Sequence, residues 1–429
     1  MKIELNKTEL GDRIERNFRR LADSAYYQIE EVFSPAEYDW YGDKEGRALL
    51  AFMSHYKISG RAIPCMEQLL SAMPKKVNEG GYFGPMAGEV IHEQQLSGHS
   101  WFLRGLCEHY DAFGDEVSLT AIRRTVDGLF MNTKGRYATY PIDRGGEDGG
   151  VSGESVGENS GWCLSSDTGC AFMSLDGLSH AYAILKTPAL KELLDEMTAV
   201  FLSMDKAGMK LQTHCTLTAA RGMMRMYGLT GDEAYLDGAK SIYDLYVFGG
   251  GMTYTYQNAN WWGRNDSWTE PCAIVDSLML ACELYKTTGE ASYRTIAARI
   301  WHNGLATAQR SNGGAGTDTV ITRAEGGSEV LRADMYEAYF CCTMRFSEGL
   351  WYVNANQELL FAETVGTVTK QENGTYADGD ILYVQVEGAG KDYVTETVTV
   401  DGFSLSPILK YYNLPDEVMK ETRQRVIFP

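Results

Sequence analysis

No uninterrupted apolar run of the ~18 residues needed to cross a bilayer occurs in the sequence, so no transmembrane helix is expected. The first residues, Met1-Lys2-Ile3-Glu4-Leu5-Asn6-Lys7, contain no apolar stretch of the kind a secretory leader uses, and a cytoplasmic location is the expectation. Basic residues are in deficit: 39 Lys and Arg stand against 58 Asp and Glu, a formal charge of -19. Such a chain repels phosphate backbones at long range, which argues against nucleic acid and anionic membranes as partners and leaves a neutral sugar untouched. An even set of cysteines is missing too. The nine cysteines include an adjacent pair, Cys341 and Cys342. An odd count in a long chain argues against a disulfide framework, and neighbours in sequence have poor geometry for a mutual disulfide.

What is present is ordinary for a globular protein, with 44% hydrophobic and 23% charged residues in 429, enough for a large core and more than one domain. A quasi-repeat runs through the middle: an apolar-periodic helix, a short break, then another helix. It spans Cys107 to Ile122, Gly222 to Asp244 and Leu278 to Trp301, with a degenerate copy from Leu178 to Met197. Glycine or proline marks each turn, and an acidic residue often follows, favouring the next helix start. The spacing is too irregular for a solenoid and fits an (α/α)6 toroid, with inner helices around a pocket and outer helices in water. The Gly-, Ser- and Glu-rich segment Arg144 to Gly161 reads as a surface loop, either a connector or a rim over the pocket. After Arg345 the texture changes. Leu359 to Val368, Ile381 to Glu387 and Tyr393 to Val400 alternate and are rich in Val, Thr and Tyr, the pattern of antiparallel strands. The expected architecture is a barrel over residues 1–350 and a short, partial β-sandwich-like region over 351–429, smaller than a usual sandwich.

Three groups of residues could carry chemistry. Glu270 and Cys272 stand two apart before an apolar helix, and Cys341 and Cys342 follow in a bend. One carboxylate and three thiols are ligand types that zinc takes, although the spacing is no standard zinc-finger pattern and buried apolar cysteines are the competing reading. His92 and His99 stand seven apart on one face of a helix, and His214 begins another. A single histidine is more often structural, but two helix-start histidines in one toroid would meet at the same pocket. The stretch Met252 to Trp268 interleaves Tyr254, Tyr256, Trp261, Trp262 and Trp268 with amides and Arg264, which suits the CH face and hydroxyl edge of a sugar as well as a packed loop.

The segments "HEQQLSGHSWFLRGLCEHYDAFGD", "QTHCTLTAARGMMRMYGLTGDEAYLDGA", "TEPCA" and "CC", in this order, resemble the landmarks of glycoside hydrolase family 127, over roughly Asn17 to Leu350. The resemblance implies an (α/α)6 barrel followed by β-sandwich elements and a retaining β-L-arabinofuranosidase. It places zinc ligands on Glu270, Cys272, Cys341 and Cys342, the nucleophile on Cys341, and sugar-hydroxyl contacts on His92 and His214. The family's acid/base glutamate, upstream of the zinc glutamate, has no counterpart here; Asp266 is the nearest carboxylate, with Glu337, Tyr254 and Tyr256 behind it. A further family histidine falls near Cys170. A glycoside or oligosaccharide is the implied partner, and a homodimer is left open. A toroid sugar lyase or epimerase, and a non-catalytic sugar-binding relative, are the alternative readings.

Overall fold

The computed structural model describes residues 9–34, 39–142, 153–253, 255–264, 267–317 and 337–361, together with the backbone of strands outside these ranges. Tyr254 and Asp266 lie outside the described residues.

The helices that build the barrel are α1 (Glu9–Asp23), α2 (Asp43–Ser59), α3 (Cys65–Ala72), α4 (Glu93–Phe113), α5 (Glu116–Gly128) and α6 (Ser174–Leu185). They continue as α7 (Pro188–Ser203), α8 (Thr213–Thr230), α9 (Glu233–Phe248), α10 (Pro271–Thr288), α11 (Ala291–Arg299) and α12 (Cys342–Ala355). Helices α2, α4, α6, α8, α10 and α12 each pack on the next, and α12 packs back on α2, which closes a ring. The remaining helices lie outside it. Helix α1 occupies the outer position beside α12, so the chain's beginning completes the layer that its later part leaves open. Leu10, Ile14, Phe18 and Leu21 recur at helical spacing on α1 and are its buried face. The expected (α/α)6 toroid is the fold.

The repeat has a plain physical basis. Five of the six inner helices end in a left-handed residue that reverses the chain into an outer helix; α12 ends instead at Asn356, with φ -122°. Gly231 (φ 70°) does this after α8, with its N–H on the Tyr227 carbonyl. In the degenerate copy Lys186 takes the same conformation at φ 50°, and Pro188 then opens α7 at the position where its missing N–H costs nothing. Neighbouring inner helices approach backbone to backbone. A Cβ on Gly222 of α8 would stand 2.4 Å from the Leu175 carbonyl carbon of α6.

Three strands lie beside the barrel: β1 (Ile91–His92), β2 (Ser155–Asn159) and β3 (Trp162–Ser165), in the order β1-β3-β2. The Gly-rich segment read as a loop thus ends in a strand pair. Trp162 is buried against Tyr137 and Tyr140, and that anchoring outweighs the loop-like composition. Two-residue strands β4 (Val320–Ile321) and β5 (Glu329–Val330) pair with each other. Near the C-terminus β6 (Thr369–Lys370), β7 (Thr375–Asp378), β8 (Ile381–Gly388), β9 (Lys391–Val400), β10 (Phe403–Ser404) and β11 (Ile408–Lys410) form an antiparallel sheet. Of the expected strand Leu359 to Val368, residues Leu359, Leu360 and Phe361 are helical, because Leu360 is fully buried against the barrel core just after α12; the rest lies outside the described residues. No helix among the described residues is long and apolar enough to cross a membrane.

His99 shows how the barrel fixes a buried ring. Its Nδ1–H donates to the Gln95 carbonyl at 2.7 Å, and its Nε2 accepts the Phe83 N–H at 3.0 Å. The ring is therefore neutral, and burial pulls it down to about 4. Because the folded value lies below the unfolded one, stability is complete above pH ~6.5 and drains as the pH falls toward 4. Urea unfolding should show a loss of about 2 kcal/mol from this residue between pH 7 and pH 5, and the pH slope should be shallower in His99→Gln. An unchanged slope would contradict the assignment. Separately, Gly222→Ala should lower the unfolding free energy by about 1–3 kcal/mol, since the clash is with backbone that cannot rotate away; thermal denaturation measures it.

Candidate active site at the N-terminal ends of the inner helices

The ring brings Glu270, Cys272, Cys341 and Cys342 together, with one ligand atom from each lying within 4.8 Å of all the others. Two helix starts supply them. Glu270 is the cap residue of α10, Pro271 occupies its first helical position, and Cys272 follows in the first turn. Cys341 caps α12 and Cys342 opens it. Helix N-termini favour negative charge, which suits thiolates and a carboxylate. The Cys341 and Cys342 sulfurs are 3.4 Å apart, and those of Cys272 and Cys342 are 3.6 Å apart. Cys272 and Cys342 are buried, whereas Cys341 is partly exposed. Hydrogen bonds from Cys272 and Cys342, helped by the Arg47 guanidinium, hold the Cys341 thiol at about 6 against the opposing effect of burial. Burial pushes Cys272 and Cys342 up.

The surrounding polar web sets these positions. The Glu270 backbone N–H donates to Asn258 Oδ1 at 2.7 Å, and Asn258 in turn donates to Thr213 Oγ1 at 3.1 Å. Glu337 receives Arg20 through two bonds of 2.8 Å, Asn312 at 2.7 Å and Thr343 at 2.9 Å. Its oxygens are thereby engaged in holding the segment that leads into Cys341.

His214, in the first turn of α8, lies between two carboxylates: Nδ1 is 3.2 Å from Glu270 Oε1 and Nε2 is 3.3 Å from Asp276 Oδ2. Burial alone would lower its pKa, but Glu270 and Asp276 override this and raise it to about 10. The ring stacks on Trp101 at 5.7 Å. His92 lies at the end of β1, paired in register with Cys163, and caps α4; His99 is two turns further in, within the helix, where its ring packs on Tyr82, Phe83 and Phe102. Trp261 is fully buried, edge-on to Trp268 at 5.0 Å, and its indole nitrogen has no hydrogen-bond partner. Trp262 packs on Gly251 and belongs to the main core, and Tyr256 Oη receives Arg299 at 3.2 Å. Cys170 is buried in a short helical turn before α6.

Several residues near the cluster were not legible in the sequence. Arg47 of α2 donates to Cys272 Sγ at 3.4 Å, and its Nε bonds both oxygens of Asp43 at 2.9 Å. The only local sign is the i,i+4 spacing of Asp43 and Arg47. Beneath the cluster a charge network fills the ring. Asp276 receives Arg221 at 2.7 Å and also Arg345, while Glu348 receives Arg104 at 2.6 Å and is ion-paired with Arg345. Asp176 receives Arg225 at 2.6 Å and is ion-paired with Arg104 at 3.0 Å. Nearby arginines hold Asp176 and Asp276 well below the usual carboxylate range although burial acts the other way.

The fold and site together define an α/α-toroid protein with a cysteine–carboxylate cluster at one end of its ring. The profile described as "Beta-L-arabinofuranosidase, GH127 catalytic domain" matches residues 73–354. The chain belongs to this family. Among solved structures it is similar to a protein titled "Glycoside hydrolase" (TM-score 0.54, 12% identity, 90% of this chain and 64% of the other). A GH127 β-arabinofuranosidase aligns with TM-score 0.51 and 12% identity over 94% of this chain and 63% of its own. A sugar epimerase from a ruminal bacterium aligns with TM-score 0.55 and 12% identity, covering 81% of this chain and 97% of the other. The chain thus spans less than two thirds of the length of the two glycoside hydrolase structures. No curated protein matches it in sequence.

Asp276 links the cluster to the buried network, so Asp276→Asn should cost about 3–5 kcal/mol by leaving Arg221 and Arg345 short of a charge partner. Chemical denaturation reads this, and a change under 1 kcal/mol would mean that the network is compensated elsewhere.

Proposed function

We propose that this chain is a retaining glycoside hydrolase acting on a β-linked furanoside or a related sugar, with zinc as cofactor and Cys341 as nucleophile. The observation that carries the reading is the convergence of three sulfurs and one carboxylate from two helix starts, in which Cys341 is the sulfur that reaches solvent. The donor set fits the metal. Tetrahedral zinc with bonds of ~2.3 Å separates its sulfurs by about 3.8 Å, close to the spacings found. Glu270 Oε2 is buried without a hydrogen-bond partner, as a waiting ligand would be. Glu270, Cys272, Cys341 and Cys342 would hold the ion. Bound zinc would keep these thiols ionised near neutral pH.

In this reading the Cys341 sulfur attacks the anomeric carbon and forms an S-glycosyl intermediate while the leaving oxygen takes a proton from an acid. Water activated by the same group then attacks that carbon and releases the sulfur. Asp266 is the residue we assign to this acid/base role. His92 and His214 are assigned to the sugar hydroxyls, and Tyr254, Tyr256, Trp261 and Trp262 to the sugar's walls. Trp261 and Trp262 both carry a buried indole N–H without a hydrogen-bond partner. The division into a barrel of 1–350 and a β region of 351–429 belongs to the same proposal.

The test joins zinc analysis to a panel of aryl furanosides and pyranosides. One zinc per chain and turnover on a furanoside are expected, with Cys341→Ser lowering kcat by a factor on the order of 10⁴ or more while the fold persists. Zinc with no turnover on any member of the panel would replace the hydrolase reading by a sugar-binding one. A chain that takes up no zinc would remove the metal.

A further inference from the structure

We infer that Arg47 is a positioning residue for the thiolate cluster: its N–H bond to Cys272 holds that sulfur as a fixed, unreactive ligand and leaves Cys341 as the sulfur free to react. The inference rests on the zinc-thiolate reading above and adds a residue from outside the matched family region, since Arg47 precedes residue 73.

Three contacts leave the guanidinium little freedom. Its Nε bonds both oxygens of Asp43 at 2.9 Å, its guanidinium carbon lies 4.2 Å from the centroid of the Trp101 ring, and Nη1 donates to Cys272 Sγ at 3.4 Å. The side chain is 5% exposed. Asp43 is one turn earlier on the same helix, so the ion pair forms locally and aims the far end of the guanidinium across the ring. An ion pair alone needs no donor directed at sulfur 225 residues away in the chain. Trp101 also stacks on His214 and lies 4.4 Å from the Arg345 guanidinium carbon, so the platform beneath Arg47 is itself packed in place.

The consequence follows from charge. Three thiolates and a carboxylate carry four negative charges, and a divalent ion offsets two. An N–H donor to an ionised sulfur is a charge-assisted hydrogen bond, stronger than one to a neutral group, and it draws electron density from the sulfur that accepts it. Cys272 is that sulfur, and it is fully buried. Cys341, half-open at the cap of α12, keeps its nucleophilic lone pair. Outer residues of this kind typically change metal retention 10–100-fold when removed.

The experiment measures zinc release from the purified full chain to the chromophoric chelator 4-(2-pyridylazo)resorcinol, with far-UV circular dichroism as the control for folding. Arg47→Met keeps the length and removes every donor, and should release zinc at least about 10-fold faster than the wild type. Arg47→Lys keeps one charged N–H group and should fall between the two. This order separates hydrogen bonding from simple space filling, because both side chains fill the volume. If Arg47→Met does not fold, the wild type against Arg47→Lys decides. Equal release from wild type and Arg47→Met overturns the inference while the metal reading stands, as does equal release from Arg47→Lys and wild type where only that pair folds. Equal release from the Met and Lys variants overturns the hydrogen-bonding role. A wild-type chain without zinc overturns the metal reading, and this inference with it.

Discussion

Negative charge gathered at one end of a closed helix ring is the constraint on which the site depends. Two inner helices present their N-termini to the same point, and each delivers thiols there. The partial positive charge of those helix ends is fixed by backbone geometry and does not reorganise. It is too small to balance the Cys341 thiolate and the Glu270 carboxylate alone. The balance comes from cations fixed by the barrel, Arg47 against Cys272 and His214 against Glu270. The site is therefore a property of the ring's closure. An opened ring would separate the charges from the groups that compensate them.

The same logic extends downward. Arg104, Arg221 and Arg345 occupy the ring's interior with Asp176, Asp276 and Glu348, all nearly fully buried. Such groups persist in a low-dielectric interior only when each is paired and hydrogen-bonded. Asp276 faces both ways, toward Arg221 and Arg345 on one side and His214 on the other. The orientation of His214, and with it the environment of Glu270, is thus tied to the ion pairs that fill the barrel.

Much of the fold was legible because helix hairpins are local. Apolar residues at helical spacing, then Gly114, Gly231 or Gly289, then an acidic first turn, are read over about two dozen residues, and each proved to be an inner helix, a left-handed cap and an outer helix. Composition misled where burial overrode it. Trp162 turned the end of a loop-like segment into strand, and Leu360 kept Leu359 to Phe361 helical. The long strands Ile381–Gly388 and Lys391–Val400 agree with their alternating pattern. At the site, the types of residue in the cluster were readable, and so was the start position of His214. The role of Asp276, buried in a largely apolar helix, was not.

The sequence by itself determined which helices form and which residues could serve as ligands, since both depend on near neighbours in the chain. Only the tertiary structure decided that Glu270 and Cys272 meet Cys341 and Cys342, that Arg47 reaches Cys272, and that Glu337 is bound by Arg20. Those contacts join positions tens to hundreds of residues apart. They follow from six inner helices closing on themselves, with α1 filling the last outer place. Ring closure is a global packing condition, and no local pattern of residues encodes which helix starts will face each other across it.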